Sequence, residues 1–362
     1  MAAAIETDRL ACPLPIADRP HVLLGHGSGG KLSAELLQQV FLPAWNSATL
    51  AALEDQATCD FGITAAAANG HATHRLAFTT DSFVVRPLFF PGGDIGKLAV
   101  HGTINDLAVG GAIPKYLSAA FILEEGLPMT DLRRIVESMR RACDEAQVEL
   151  VTGDTKVVDR GKGDGAYITT SGIGLVPRDR RLSIHAAQPG DRILVSGTIG
   201  DHGIAIMSVR EGIEFETILE SDTAPLNGLT EVMLGCCPTI RCMRDPTRGG
   251  LASALNELAA ASGVGVRLHE AALPVRGEVR AACEMLGLDP LYVANEGKLI
   301  AVVPREYSAA VLRTMQAHPL GRNAVELGEV VSDHAGLVVL NTLIGGQRVV
   351  SMLSGEQLPR IC

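Results

Sequence analysis

Alternating apolar and polar positions mark a first group of strands: RLAFTTDSFVV (75–85), KYLSAAFIL (115–123), VELVTGDTKVV (148–158) and AYITTSGIGLV (166–176). Between them, apolar residues recur at helical spacing. KLSAELLQQVFLPAW (31–45) predicts a helix, as does IGKLAVHGTINDLAVGG (95–111), which ends in paired glycines. TDLRRIVESMRRACDEA (130–146) predicts a capped amphipathic helix. HVLL (21–24) reads as a short strand, and the Pro-rich residues 1–20 predict a mobile arm. A break falls at VPRDRRLSIHAAQPGD (176–191), where turn residues and charges replace the apolar period. Beyond it the order restarts. RILVSG, GVGVRLH, PLYVANEG and KLIAVVP predict strands, and so do LVVL and QRVVSML near the end. GDHGIAIMS, TRGGLASALNELAAAS and YSAAVLRTMQAH predict helices. Strands and helices do not alternate strictly, so a single doubly wound sheet fits poorly. Two α/β halves of α+β type are expected.

Composition narrows the function classes. The 362 residues suffice for two domains, and with 47% hydrophobic and 20% charged residues the chain is an ordinary globular one. Aromatics are only 4%, so aliphatic side chains must fill the cores. A net charge of -10 without any Lys or Arg run argues against a nucleic-acid surface. No apolar stretch is long enough to span a bilayer. The opening MAAAIETDRLACPLP lacks the layout of a secretory signal, so a cytoplasmic location is expected. Eight scattered cysteines without CxxC spacing agree with that compartment. Cys236, Cys237 and Cys242 form the one cluster, read as buried or incidental thiols rather than a metal site.

Several residues carry candidate chemistry. Gly25 to Lys31 fits both GxGxxG and GxxxxGK, and neither pattern is specific alone. Leu32 stands where a P-loop needs Ser or Thr, and no acid-ended second strand supports a dinucleotide site. What remains is a flexible Gly-rich loop that covers phosphates with backbone N–H groups and Lys31, or a structural turn. Asp81, Asp106, Asp154 and Asp245 lie in FTTDS, GTINDLA, VTGDTK and RDPTRGG. With Lys156 and Arg248 to meet phosphate oxygens, such a set suits ATP with Mg2+, which takes hard oxygen ligands; each Asp alone could equally cap a turn. Glu296 in ANEGK gains interest only if folding brings it to the phosphates. His26 and His101 are read as structural. Cys362 ends a Gly- and Pro-containing tail, and its thiolate is a natural nucleophile for an acyl or carbamoyl group.

From His21 to Cys362 these segments resemble the HypE family of hydrogenase maturation factors. That family lies in the superfamily of aminoimidazole ribonucleotide synthetase and selenophosphate synthetase. The resemblance rests on GHGSGGK, FTTDSFVVRPLFFPGGDIGKLAVHGTINDLAVGG, GDTKVV, DPTRGGLA, NEGK and the terminal PRIC. Ser28 stands in the loop where selenophosphate synthetases carry a reactive Cys or selenocysteine. The resemblance implies an N-terminal domain at 21–180 for ATP binding and dimerisation, an α/β domain at 181–353, and a flexible tail at 354–362. The N-terminal domains would pair in a homodimer through a shared β-barrel. Asp81, Asp106 and Asp245 would hold magnesium with Asp154 close by. Lys156 and Thr155 would meet the nucleotide along with Arg248, and Gly29, Gly30 and Lys31 would form a flap over it. The implied reaction is ATP-dependent dehydration of a carbamoyl group on Cys362 to a thiocyanate, with Glu296 as base aided by Lys156. A carbamoyltransferase, HypF, would load Cys362, and the cyano group would pass to iron on a HypC–HypD scaffold. Two alternatives stay open: another ATP-dependent phosphotransferase of this fold, and a carrier that displays Cys362 without catalysis. A dinucleotide-dependent oxidoreductase rests on GxGxxG alone.

Overall fold

The computed structural model describes residues 22–45, 47–60, 74–212, 219–353, 358 and 361. The arm expected at 1–20 therefore lies outside the described residues, and so does Cys362.

Two large sheets divide the chain, besides a two-stranded pair of Phe89–Phe90 and Gly93–Asp94. The first has the strand order Ala57–Cys59, His74–Phe83, Ala166–Pro177, Ile113–Glu124, Glu149–Val158. Its pairings are antiparallel except the last, which is parallel. Among the described residues it is an open sheet, with Glu149–Val158 as one edge and no closed barrel. The second sheet runs Gln347–Val350, Val338–Asn341, Gly265–His269, Val325–Val331, Arg192–Val195, Ile300–Val303, Cys242–Arg244.

The helix Ile95–Val109 joins the halves. Asp94 caps it by accepting from the backbone N–H groups of Gly96 and Lys97 at 2.7 and 3.0 Å. It is apolar almost all round, which suits a helix with no solvent face. One side packs on the inner face of the first sheet, and others meet the helices Met129–Ala146 and Asn227–Cys236. Burying Leu98, Ile104 and Leu107 completely stabilises this junction by roughly 1.5–3 kcal/mol per side chain.

Several expectations fail for local reasons. HVLL forms no strand: residues 22 and 23 are irregular and Leu24–Gly27 is a 3-10 turn. PLYV is likewise no strand, because Asp289 caps a 3-10 turn at Pro290–Tyr292 through the N–H of Leu291. The helix Met129–Ala146 starts after Pro128 without a side-chain cap. The pattern also missed helices at Asn227–Cys236 and Gly277–Leu286, and short strands at Cys242–Arg244 and Val325–Val331.

The outer face of the first sheet carries uncovered apolar residues. Phe78, Ile173 and Tyr116 are direct cross-strand partners and are 45%, 36% and 48% exposed, so they form one continuous row. Ile122 is exposed on the strand of Tyr116, and Leu150, Val151 and Val157 are exposed on the edge strand Glu149–Val158.

Candidate active site

A cavity of about 30 Å³ lies where the halves meet, lined among others by Asp81, Phe83, Asp106, Asp245, Arg248 and Glu296. Asp81 projects from the strand His74–Phe83 and Asp106 from the last turn of the junction helix. Asp245 follows the short strand Cys242–Arg244, and Glu296 lies in the turn before Ile300–Val303. Two of the carboxylates thus come from each half of the chain.

Their crowding decides their protonation. Burial pushes the Asp245 carboxyl up to about 8, with Asp55 and Asp81 adding repulsion and Arg244 opposing it. Asp106 rises well above the usual carboxylate range, first through burial and then through Asp81, Asp245 and Asp55. The Thr79 hydroxyl donates to it at 2.8 Å. Asp81 is raised by burial, eased by Arg248 and by a hydrogen bond with Asp106. Such a bond between two carboxyl groups needs one of them protonated.

Glu296 is 2% exposed, not the solvated surface residue a lone Glu usually is. Its backbone N–H donates to Asp222 Oδ1 at 3.0 Å, and Asp222 is paired with Lys298 at 3.2 Å. Its carbonyl accepts from Asn105 Nδ2 at 2.9 Å. The side-chain Oε1 is buried without a hydrogen-bond partner among the described residues. Burial, then Asp245, Asp222 and Asp81, drive its pKa well up against the opposing Arg248. A buried carboxyl group with a free oxygen and a raised pKa is suited to accept a proton.

The Gly-rich loop reaches the same place. Gly29 has φ +72, and a Cβ there would come within 2.8 Å of Arg248 Cβ and carbonyl O. Only glycine allows this approach. Arg248 Nη1 donates to the Gly27 carbonyl at 3.4 Å, and the Lys31 N–H donates to the Leu353 carbonyl at 2.9 Å. Gly29, Gly30 and Lys31 are therefore tied both to the cavity rim and to the start of the C-terminal tail.

Relatives share this arrangement of segments. The family model described as AIR synthase related protein, N-terminal domain, matches residues 62–176, and its C-terminal counterpart matches residues 188–340. The carbamoyl dehydratase HypE of Azotobacter vinelandii is 57% identical over 337 residues, covering 93% of this chain and 96% of that protein. The Escherichia coli carbamoyl dehydratase HypE is 46% identical, covering 94% of this chain and 99% of its own. The chain belongs to the HypE family. A crystal structure of a HypE in complex with ATP superposes with a TM-score of 0.77 at 48% identity, covering 94% of this chain and 100% of that one. A HypE in a HypE–HypF complex gives a TM-score of 0.81 at 48% identity, covering 88% and 99%. The two-domain α/β fold of the family is thus that of this chain.

Within this HypE-family fold, not every candidate converges. Asp154, Thr155 and Lys156 lie on the exposed edge strand, where Lys156 Nζ holds Asp154 Oδ2 at 2.8 Å. The Thr155 N–H also donates to Asp154 Oδ1, at 2.8 Å. Asp154 shares a cross-strand row with Ser82, three strands away, or about 14 Å at the usual strand spacing. Within one chain they stand apart from the cavity.

Asp55 escaped notice. It is paired with the half-buried Arg244 at 2.9 Å and raised to about 6, first by burial. The one signal was an acid just before the short strand Ala57–Cys59. His26 accepts a local turn bond from the Leu23 N–H, and His101 is fully buried with its pKa lowered to about 3 by burial. Cys237 and Cys242 are buried free thiols and Cys236 is half-buried. Among the described residues no three Asp, Glu, His or Cys side chains are close enough to cage a metal ion by themselves.

The tail, expected to move freely, is packed where it is described. Ile361 is 3% exposed in the apolar cluster that contains Phe83, Phe90, Ile206 and Ala294, and Leu358 packs against the same cluster.

Proposed function

We propose that this chain is an ATP-dependent carbamoyl dehydratase that converts a carbamoyl group on its own Cys362 to a thiocyanate. The observation that carries this reading is the burial of Ile361, the residue bonded to Cys362, in the same apolar cluster as Phe83, which lines the carboxylate cavity. The HypE relatives named carbamoyl dehydratase, and the HypE solved with ATP, support it.

A carbamoyl oxygen is a poor leaving group. In the proposed reaction it attacks the γ-phosphorus of ATP, the bond to the β-phosphate oxygen breaks, and ADP departs. One N–H proton is lost, leaving an O-phosphorylated imidate on the sulfur. Glu296 then takes the second N–H proton, the C–O bond breaks, and phosphate leaves a thiocyanate on Cys362. Arg248 and Lys31 are assigned to the phosphates, together with the N–H groups of Gly29 and Gly30. Thr155 and Lys156, with Asp154, would meet nucleotide at the edge strand; because they stand apart from the cavity within one chain, Lys156 would aid the base of a paired copy. The crowded, mutually repelling carboxylates Asp81, Asp106 and Asp245 fit a hard cation better than they fit each other, and Asp55 belongs with them. Magnesium bound there would offset charge on the transferring phosphoryl group; it usually takes one or two carboxylates, with phosphate and water completing its shell. The packed seam limits water, which would hydrolyse an imidate.

The same reading pairs two copies through the uncovered Phe78–Ile173–Tyr116 face to make the shared barrel, keeps 21–180 and 181–353 as the domains, and has the tail at 354–362 detach for loading. HypF is the proposed donor, supported by the HypE–HypF complex of a relative, and HypC–HypD the acceptor. Among the described residues no helix is long and apolar enough to cross a membrane, and the proposed location is the cytoplasm.

Intact mass of the protein after incubation with the carbamoylating partner, carbamoyl phosphate and ATP tests this. The expected result is gain of one carbamoyl group, then loss of one water only with hydrolysable ATP, both absent in Cys362→Ala. A mass that stays at the carbamoyl stage would establish a carrier instead. ATP consumption with Cys362 unmodified would place the protein among small-molecule phosphotransferases.

A further inference from the structure

His202 is fully buried at the second position of the helix Asp201–Glu211, outside the lining of the carboxylate cavity, yet its ring is hydrogen-bonded on both sides. Nε2 lies 2.8 Å from the carbonyl oxygen of Ile361, and Nδ1 lies 2.8 Å from Ser221 Oγ. A carbonyl only accepts, so Nε2 carries the proton and donates to Ile361, while Nδ1 accepts from the Ser221 hydroxyl. Ser221 is itself held by Thr223, whose N–H donates to Oγ at 3.2 Å and whose hydroxyl lies 2.9 Å away. Phe90 meets the ring edge-on at 5.7 Å and fixes its plane. Burial lowers the imidazole pKa, which keeps this neutral tautomer.

The same helix start is bolted to the loops that carry the carboxylates. The Gly200 N–H donates to Asn295 Oδ1 at 2.7 Å, and Asn295 Nδ2 donates to the carbonyl of Pro246 at 2.9 Å. Asn295 precedes Glu296 and Pro246 follows Asp245. The Gly203 N–H donates to Ala294 O at 3.1 Å. A Cβ on Gly203 would lie 2.5 Å from Val293 Cγ1, so the bare position admits the Val293 loop, and Leu358 Cδ1 of the tail would lie 3.3 Å from the same point.

We infer that His202, oriented by Ser221, is the latch that sets the register of the C-terminal tail against the carboxylate cavity. It is a positioning residue for the reaction on Cys362. The inference rests on the proposed dehydratase reading. A buried His that merely satisfied the core would need a partner, but not one in the residue bonded to the nucleophile. Fixing the Ile361 carbonyl limits where the next side chain can reach, and a misplacement of about 1 Å can cost about 100-fold in rate.

The test compares the full-length protein with His202→Asn, His202→Gln and Ser221→Ala. The Gln amide can offer an N–H near the place of Nε2, whereas the shorter Asn cannot. Dehydration of preloaded protein is followed by mass in a single turnover. Maleimide labelling is read on the C-terminal peptide. His202→Asn is expected to slow dehydration about 10- to 100-fold and to speed labelling of Cys362, with carbamoyl loading and ATP affinity close to wild type and a melting temperature lowered by the lost buried hydrogen bonds. His202→Gln restores much of both, and Ser221→Ala falls between. Unchanged dehydration and unchanged labelling in His202→Asn would overturn the latch, as would a loss that His202→Gln does not relieve and that tracks ATP affinity and melting temperature. If wild-type protein is loaded but never dehydrates, the dehydratase reading fails, and the labelling comparison alone still decides the latch.

Discussion

Replacing Glu296 by Gln isolates the proposed proton-accepting step because the exchange keeps the shape of the side chain. The contacts that hold the residue are main-chain ones, to Asp222 Oδ1 and from Asn105 Nδ2, and both survive. The side-chain Oε1 has no hydrogen-bond partner among the described residues to lose. A neutral amide also removes a carboxyl group whose ionised form is disfavoured by burial and by Asp245, Asp222 and Asp81. The folded pKa is raised, so the native Glu296 contributes stability at low pH that is lost as pH rises through the folded value. The Gln variant escapes that loss, and its melting temperature near pH 8 should equal or exceed that of wild type. A positioned general base supplies about 10²–10⁴ in rate, or about 3–5 kcal/mol of barrier. Single-turnover loss of water from carbamoylated Cys362 should therefore slow by that factor, while loading and ATP affinity stay within about twofold. In wild type the rate should climb with pH along a limb displaced above the ordinary Glu range, a limb absent in the variant. Dehydration within about threefold of wild type would refute the assignment, since no base contribution is that small.

Three further outcomes follow from the same geometry. Arg244→Met strands Asp55 and Glu257, each paired to the guanidinium at 2.9 Å, and should cost about 3–5 kcal/mol in urea unfolding at neutral pH, less where Asp55 is protonated. Asp245 and Asp55 have folded pKa values of about 8 and about 6 against 3.8, so without magnesium the melting temperature should fall as pH rises between about 4 and 8. Added magnesium should recover most at the alkaline end, and Asp245→Asn should flatten the dependence; a profile that rises through this window would refute the crowding. Tyr116→Glu, at one end of the uncovered row, should halve the mass seen by light scattering if the face pairs two copies, and leave it unchanged if it does not.

The long elements were legible because their patterns are local. The strands His74–Phe83 and Ala166–Pro177 alternate along their length, and the helix Ile95–Val109 carries its own cap at Asp94 and its own stop at Gly110 and Gly111. Short pieces were not. Cys242–Arg244 is three residues long, too short for a period, although it forms one edge of the second sheet and delivers Asp245. Pro290–Tyr292 has strand-like composition, but Asp289 turns it. Asp81, Asp106, Asp245 and Arg248 were all candidates, and the structure brings them together. Glu296 was a weaker candidate because its burial depends on a helix over 180 residues earlier, whose Asn105 holds its carbonyl. Asp55 was missed because its partner, Arg244, is equally distant in sequence. Asp154 and Lys156 read as cavity residues by motif, yet the sheet order sets them on an edge strand.

The crowding that makes the cavity attractive to a cation also raises Glu296, and the two effects compete. A divalent ion on Asp81 and Asp245 would cancel two of the three like charges that lift the Glu296 pKa. If repulsion were the main cause, filling the cation site would weaken the base at the moment it is needed. Burial is the larger cause, and the third charge, Asp222, is itself paired with Lys298. The basicity of Glu296 therefore rests mainly on the closed seam between the halves, not on its charged neighbours. Loosening that seam while leaving every carboxylate in place should lower the pH limb of dehydration more than neutralising Asp245 does. A variant such as Asn105→Ala, which frees the Glu296 carbonyl and the Leu226 N–H, tests the ordering. If its pH limb stays put while that of Asp245→Asn drops, repulsion outweighs burial and this ranking is wrong.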